Sequence, residues 1–154
     1  MEKKVKPVFV TLVSSSHTEG GEREELIRLR CQGELKESPS GGYMLRYQEV
    51  QTDEDSGQTV SQDVILSLQP DRVTMNRLGA FGTTMVFVKD RRFEGAYHTP
   101  YGDLGLALFA TQVSCRLGPD SGSVHLEYQL DMQGNYAAVQ TIDVTYTAEG
   151  APAC

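Results

Sequence analysis

Apolar and polar residues alternate with a period of two along most of the chain. In SVHLEYQLDM, apolar side chains fill every second position from Val124 to Met132, and polar or charged ones fill the positions between. Four further apolar series follow the same alternation: Ile27, Leu29 and Cys31; Tyr43, Leu45 and Tyr47; Val64, Leu66 and Leu68; and Ile142, Val144 and Tyr146. This period predicts β-strands with one buried and one solvated face, and no window shows a convincing helical stripe.

Turn-forming segments separate these runs. They are SPSGG at 38–42, DEDSG at 53–57, QPDR at 69–72, GAFG at 79–82, KDRR at 89–92, GPDSG at 118–122 and MQGN at 132–135. Short turns between strands indicate hairpins, and a large antiparallel sheet removes its exposed edges by closing. The sequence therefore predicts an all-β protein: a single antiparallel meander β-barrel of about eight to ten strands.

Length and charge narrow the class of protein. The 154 residues predict one domain over 1–154, with 1–6 and 149–154 as loosely ordered tails. A net charge of −7 disfavours binding to nucleic acid or to a membrane surface, because both are anionic. The apolar run at 8–13 is too short for a signal peptide or a membrane span, and it predicts a first strand.

The cysteines and histidines form no metal-site or disulfide pattern. Cys31 and Cys115 lie in apolar runs as small core residues, and Cys154 is the last residue. An odd number of cysteines without paired spacing favours a reducing compartment, so we expect a cytoplasmic protein. The three histidines lack ligand spacing, and we expect neither a metal nor a cofactor.

One strand departs from the alternation. The run LGLALFA, Leu104–Ala110, reads as apolar on both faces. A strand of this kind needs a second cover, such as a cap, a bend between sheet halves or another subunit. We favour another subunit, because an exposed apolar strip usually marks a contact. This predicts a homodimer, or a complex with another partner, through Leu104–Ala110.

The segment YHTPYGDL presents a choice between a turn and a site. Thr99-Pro100-Tyr101-Gly102 has proline and glycine where a β-turn prefers them, which favours a hairpin corner. The functional interpretation needs Tyr97, His98 or Tyr101 at a cavity mouth, with Asp103 orienting His98. An enzyme built on these groups has the least support, because no G-x-S-x-G elbow or other reaction motif accompanies them.

Two charged residues fall on apolar faces. Counting by twos from Tyr43 reaches Glu49, and counting by twos from Val73 reaches Arg77. A buried charge is costly unless paired, so we favour a Glu49–Arg77 ion pair. The alternative is that Arg77 binds a ligand carboxylate or phosphate. Tyr43, Tyr47 and Tyr128 are further candidate lining residues, and alternation leaves open whether the interior is filled or holds a ligand.

The chain also resembles the YwiB-like family of bacterial domains of unknown function, over nearly its whole length. The most specific pieces are Arg77-x-Gly79, the run of tyrosines, threonine, proline and glycine at 97–102, and L-x-Y-x-L at 126–130. The resemblance implies a calycin-like, lipocalin-like barrel and brings no activity with it. Our first hypothesis is therefore a non-catalytic barrel that binds a small apolar or amphipathic molecule. The alternative is a filled barrel acting as a structural or interaction module.

Overall fold

The computed structural model describes residues 5–17, 24–39, 41–52, 56–79 and 82–149, which form ten β-strands and no helix. The strands are β1 Val5–His17, β2 Glu24–Glu37, β3 Tyr43–Thr52, β4 Thr59–Gln69, β5 Arg72–Leu78, β6 Thr83–Phe87, β7 Arg92–Thr99, β8 Gly102–Arg116, β9 Ser121–Met132 and β10 Asn135–Ala148. Within these residues no helix is long and apolar enough to cross a membrane.

The strands close into one antiparallel barrel. Each strand pairs with its neighbours in sequence, and β1 pairs with β10 to complete the circle. Each predicted turn segment lies at a junction between consecutive strands, and residues 40, 53–55, 80 and 81 of these segments lie outside the described residues. The predicted all-β meander barrel is confirmed, and in the described residues its weakest seam is between β6 and β7, which pair only at Thr83 and Tyr97.

The two ends of the barrel differ in how their interior is filled. We call the end with the connections at 38–42, 70–71, 88–91 and 117–120 the packed end, and the opposite end the cavity end. At the packed end and in the middle of the barrel, inward side chains form a continuous core. Its most buried members are Val8, Val10, Leu45, Val64, Leu66, Leu68, Val73, Met75, Phe87, Leu108, Ala110, Leu126, Val144 and Tyr146.

Tyr146 closes the packed end against a glycine-lined turn. Its hydroxyl donates a hydrogen bond to the carbonyl of Gly118 over 2.8 Å and accepts one from the Gly118 amide over 3.2 Å. A Cβ atom at Gly122 would collide with the Tyr146 ring, so the position needs glycine. The tyrosine ring therefore fills space that a side chain at Gly122 would otherwise take.

The apolar run Leu104–Ala110 alternates after all. Leu106, Leu108 and Ala110 point inward and are buried, whereas Phe109 points outward and is 38% exposed. The other outward positions are Gly105, which is exposed, and Ala107, which is buried on the outer face at 8% exposure. Apolar residues at these positions made the run look apolar on both faces. The broad exposed strip that we expected is therefore not present, and Phe109 is its one large outward residue.

The structure describes part of each segment that we expected to be a tail. Strand β1 begins at Val5, and Lys6 forms an ion pair with Asp120 over 2.7 Å. The amide of Glu149 donates to the carbonyl of Pro7 over 3.2 Å, so these residues belong to the barrel. Residues 1–4 and 150–154, including Cys154, lie outside the described residues.

Candidate functional site

A cavity of about 340 Å³ occupies the cavity end of the barrel. It is lined by Leu12, Ser14, Arg77, Thr83, Met85, Tyr97, Leu104, Leu106, Tyr128, Leu130, Met132, Gln140 and Ile142. Its volume lies at the small end of the range of about 300–1,000 Å³ that is typical of small-molecule sites. The lining is mostly apolar with a few polar groups, which is the usual character of such sites.

Arg77 and Glu49 form an inward-facing ion pair beside this cavity. The Nε of Arg77 donates to Oε2 of Glu49 over 3.2 Å, and the two side chains are only 18% and 6% exposed. Tyr47 on β3 and Arg77 on β5 both lie opposite Val64 on β4. Glu49 is the next inward residue after Tyr47, so its side chain can reach that of Arg77 across β4 inside the barrel. The predicted inward register of both residues, and their pairing, are confirmed.

Tyr128 and Gln140 form a second polar contact on the cavity wall. The Tyr128 hydroxyl donates to Oε1 of Gln140 over 2.8 Å, between facing strands β9 and β10. The ring of Tyr128 also packs edge-on against Phe87, with the ring centroids 4.9 Å apart. Burial raises the pKa of Tyr128 to about 12, although the nearby Arg77 charge acts in the opposite direction. Tyr128 is therefore a neutral, fixed side chain at neutral pH.

Tyr47 carries a buried hydroxyl without a hydrogen-bond partner among the described residues. Burial raises its pKa above the ordinary tyrosine value, and the Glu49 carboxylate adds to this while Arg77 opposes it. Tyr47 points inward but is absent from the cavity lining given above. Tyr43 also points inward and packs on the core, at the packed end of β3.

The segment YHTPYGDL forms the hairpin corner between β7 and β8. Thr99 lies opposite Gly102, and the Thr99 hydroxyl donates to the Gly102 carbonyl over 2.6 Å. Nδ1 of His98 lies 2.8 Å from Oδ1 of Asp103, and both side chains are more than half exposed on the outer face. Tyr101 is 99% exposed at the tip. Tyr97 and Leu104, the first and last residues of this segment, line the cavity.

The structure thus separates the eight candidate site residues into three groups. Arg77, Tyr97 and Tyr128 line the cavity, and Glu49, which is not part of the lining, accepts a hydrogen bond from Arg77. Tyr43 and Tyr47 belong to the core, whereas His98 and Tyr101 lie outside the barrel. Sequence reasoning missed Ser14, Thr83 and Gln140. Alternation along the strands could have identified all three as inward-facing residues. Ser14 lies two residues after Leu12, Thr83 two before Met85, and Gln140 two before Ile142.

A serine, a histidine and an aspartate also lie side by side on the outer face. Ser114, His125 and Asp143 are cross-strand neighbours on β8, β9 and β10. Nδ1 of His125 lies 2.5 Å from Oδ1 of Asp143, but no hydrogen bond joins Ser114 to His125 within the described residues. A serine nucleophile is activated by a hydrogen bond to its base, and the described residues contain no such bond between Ser114 and His125. The described part of the chain also contains no cluster of metal-ligating side chains.

The fold and the site define a closed ten-stranded barrel with an apolar cavity at one end. The model of the domain of unknown function DUF1934 matches residues 10–144, so the chain belongs to this family. The crystal structure of the YwiB protein from Bacillus subtilis is similar, with a TM-score of 0.79 and 20% sequence identity. The similarity covers 95% of this chain and 94% of that one and confirms the expected fold. No curated protein matches the chain.

Proposed function

We propose that this protein holds one small amphipathic molecule in the cavity, without catalysing a reaction on it. The observation that supports this most is the uneven filling of the interior. Apolar side chains pack one half of the barrel, while the other half leaves about 340 Å³ between leucine, methionine and isoleucine side chains. An apolar cavity with a few convergent polar groups is the usual form of a ligand site.

The placement of the ionisable groups favours binding over catalysis. His98 and Asp103, the acid–base candidates of the β7–β8 hairpin, are on the outer face and do not line the cavity. Inside the cavity, Tyr128 is kept neutral by burial, and Arg77 is held by Glu49. The thiols of Cys31 and Cys115 are free and partly buried, which fits a reducing compartment. We therefore include a cytoplasmic location in this proposal.

Native mass spectrometry of the protein purified from its own host tests the proposal. The mass under native conditions should exceed the denatured mass by that of one small molecule. Leu106→Trp, which places an indole in the cavity, should abolish the excess mass. Phe109→Trp on the outer face of the same strand is the matched control and should retain it. Wild-type protein without an adduct, and without binding to the alkyl probes described below, would contradict the proposal.

The alternative is an interaction module that forms a homodimer through the outer face of Leu104–Ala110. The observation that favours it is Phe109, which is 38% exposed on that face. Phe109→Lys should then convert a dimer into a monomer in sedimentation velocity experiments. A wild-type protein that is already monomeric at high concentration would argue against the interface.

A further inference from the structure

We propose that the ligand is a monocarboxylate, whose head group binds the terminal amino groups of Arg77 and whose tail fills the apolar cavity. This inference rests on the proposed binding function and specifies the chemistry of the ligand. It starts from the hydrogen-bond donors that the cavity wall leaves unused.

Arg77 uses one part of its guanidinium group and leaves the rest available. Its Nε–H is directed to Glu49, and among the described residues the Nη1 and Nη2 groups have no acceptor. These groups carry four N–H donors on a planar fork that matches the two oxygens of a carboxylate. Because Glu49 holds Nε, the guanidinium plane is oriented before a ligand arrives, which lowers the entropic cost of binding.

Gln140 adds a donor on the opposite wall of the cavity, because β10 lies five strands from β5 around the barrel. Its Oε1 accepts the hydrogen bond from Tyr128, which leaves the Nε2 amide protons for another partner. In the described part of the chain, no acceptor is bound to that nitrogen. Arg77 and Gln140 therefore present unused donors to the same cavity. An acceptor-rich group can bind the donors on either wall, whereas an ammonium group would face N–H donors and the positive charge of Arg77.

The charge of the lining selects a carboxylate over a phosphate ester. Arg77 is the single cationic residue among the described lining residues, and its charge is already partly balanced by Glu49. A phosphate monoester carries nearly two negative charges at neutral pH and would leave more excess negative charge beside Glu49 than a carboxylate would. A carboxylate brings only one charge and two oxygens, which the fork can bind together.

The volume limits the size of the tail. Since a cavity of about 150 Å³ accommodates the six carbons of benzene, about 340 Å³ has room for roughly 14 non-hydrogen atoms. Leu12, Leu130 and Ile142 are among the aliphatic side chains that surround this space. The expected class is therefore a medium-chain fatty acid or an aryl-alkyl carboxylate of similar size.

Isothermal titration calorimetry with decanoate, 1-decanol, decylamine and decyl phosphate tests the inference, because these probes share one alkyl chain. Decanoate should bind at least about tenfold more tightly than each of the others, as a charge-assisted bidentate contact would provide. Arg77→Gln should weaken decanoate binding by at least about tenfold and leave decanol binding within about threefold. Arg46→Gln, which removes an exposed arginine on the outer face, is the matched control and should change neither affinity.

A second variant protects the test against loss of folding. If Arg77→Gln unfolds the protein, Glu49→Gln with Arg77→Gln removes both charges together and should fold while losing the preference for decanoate. Equal binding of decanoate and decanol, or a preference for decylamine or decyl phosphate, would overturn the inference and leave the proposed binding function intact. A preference for decanoate that survives both variants would show that Arg77 is not the anchor. Failure of every probe to bind would count against both proposals.

Discussion

Nε of Arg77 and Oε2 of Glu49 lie 3.2 Å apart inside the barrel and join β5 to β3 across the strand between them. The contact lies beside the cavity, where apolar surroundings weaken the solvation of both charges. A charged hydrogen bond in such a place stabilises the fold less than its distance suggests, but losing one partner is costly. This asymmetry leads to the first prediction.

Replacing Arg77 alone should cost more than replacing both members of the pair. Arg77→Gln deprives the 6% exposed Glu49 side chain of this contact and should lower the free energy of unfolding by about 1.5–3 kcal/mol. Glu49→Gln with Arg77→Gln should recover part of that loss, because no charge then remains at the pair. Urea unfolding of the wild type, Arg77→Gln, Glu49→Gln and the double variant measures the difference. A double variant that is as unstable as the sum of the singles would show that the two side chains do not interact.

Tyr47→Phe and Tyr146→Phe should have opposite consequences. The Tyr146 hydroxyl makes two hydrogen bonds with Gly118, so its removal should cost about 1–3 kcal/mol. The Tyr47 hydroxyl is buried without a described partner, so its removal should be neutral or stabilise the fold by up to about 1 kcal/mol. Thermal and urea unfolding measure both changes. A loss above about 1 kcal/mol in Tyr47→Phe would reveal a water molecule or ligand on that hydroxyl.

Alternation along the sequence was sufficient to predict the register of Arg77 and Glu49. The β3–β4 and β4–β5 ladders run without a register shift, so counting by twos holds from Tyr43 to the cavity end. In β8 the same counting fails, because a bulge between Ala110 and Gln112 interrupts the pairing with β9. The inward series continues there at Val113 instead of at Gln112, and no residue in the sequence marks the change.

The cavity itself could not be predicted, because the residues around it are of the same types as those in the packed half. Leu106 lines the cavity and Leu108, two residues further along β8, lies in the core. Only the assembled barrel determines how much volume the inward side chains leave between them. The functional interpretation of the 97–104 segment needed Tyr97, His98 or Tyr101 at a cavity mouth; Tyr97 faces inward, and the alternation then places His98 on the outer face.

The cavity predicts different tolerance to larger side chains at Leu106 and Leu108. Leu106→Phe adds volume next to open space and should change the free energy of unfolding by less than about 0.5 kcal/mol. Leu108→Phe adds the same volume to a side chain that is 1% exposed in packed surroundings, and should cost about 1–3 kcal/mol. Urea unfolding of both variants provides the comparison. Equal losses would indicate that the cavity end is as tightly packed as the core.

Tyr128 should make the protein less stable as the pH rises above 10. Its pKa is raised by burial to about 12 in the folded state, against about 10 in the unfolded chain. Between these values the unfolded chain has lost a proton that the folded chain retains, so the free energy of unfolding falls with increasing pH. The contribution of Tyr128 is fully present below pH 10 and is lost by pH 12, a loss of about 2–3 kcal/mol.

Tyr128→Phe removes the titrating hydroxyl group. It therefore separates the contribution of Tyr128 to the pH dependence of the free energy of unfolding from the contributions of the other groups that titrate at high pH. Urea unfolding between pH 9 and pH 12 should therefore show a steeper loss of stability in the wild type than in Tyr128→Phe. Tyr101→Phe is the matched control: the Tyr101 side chain is 99% exposed, so its curve should parallel that of the wild type. If the curves of the wild type and Tyr128→Phe run parallel, the Tyr128 hydroxyl titrates equally in both states, and the cavity wall around it must be hydrated.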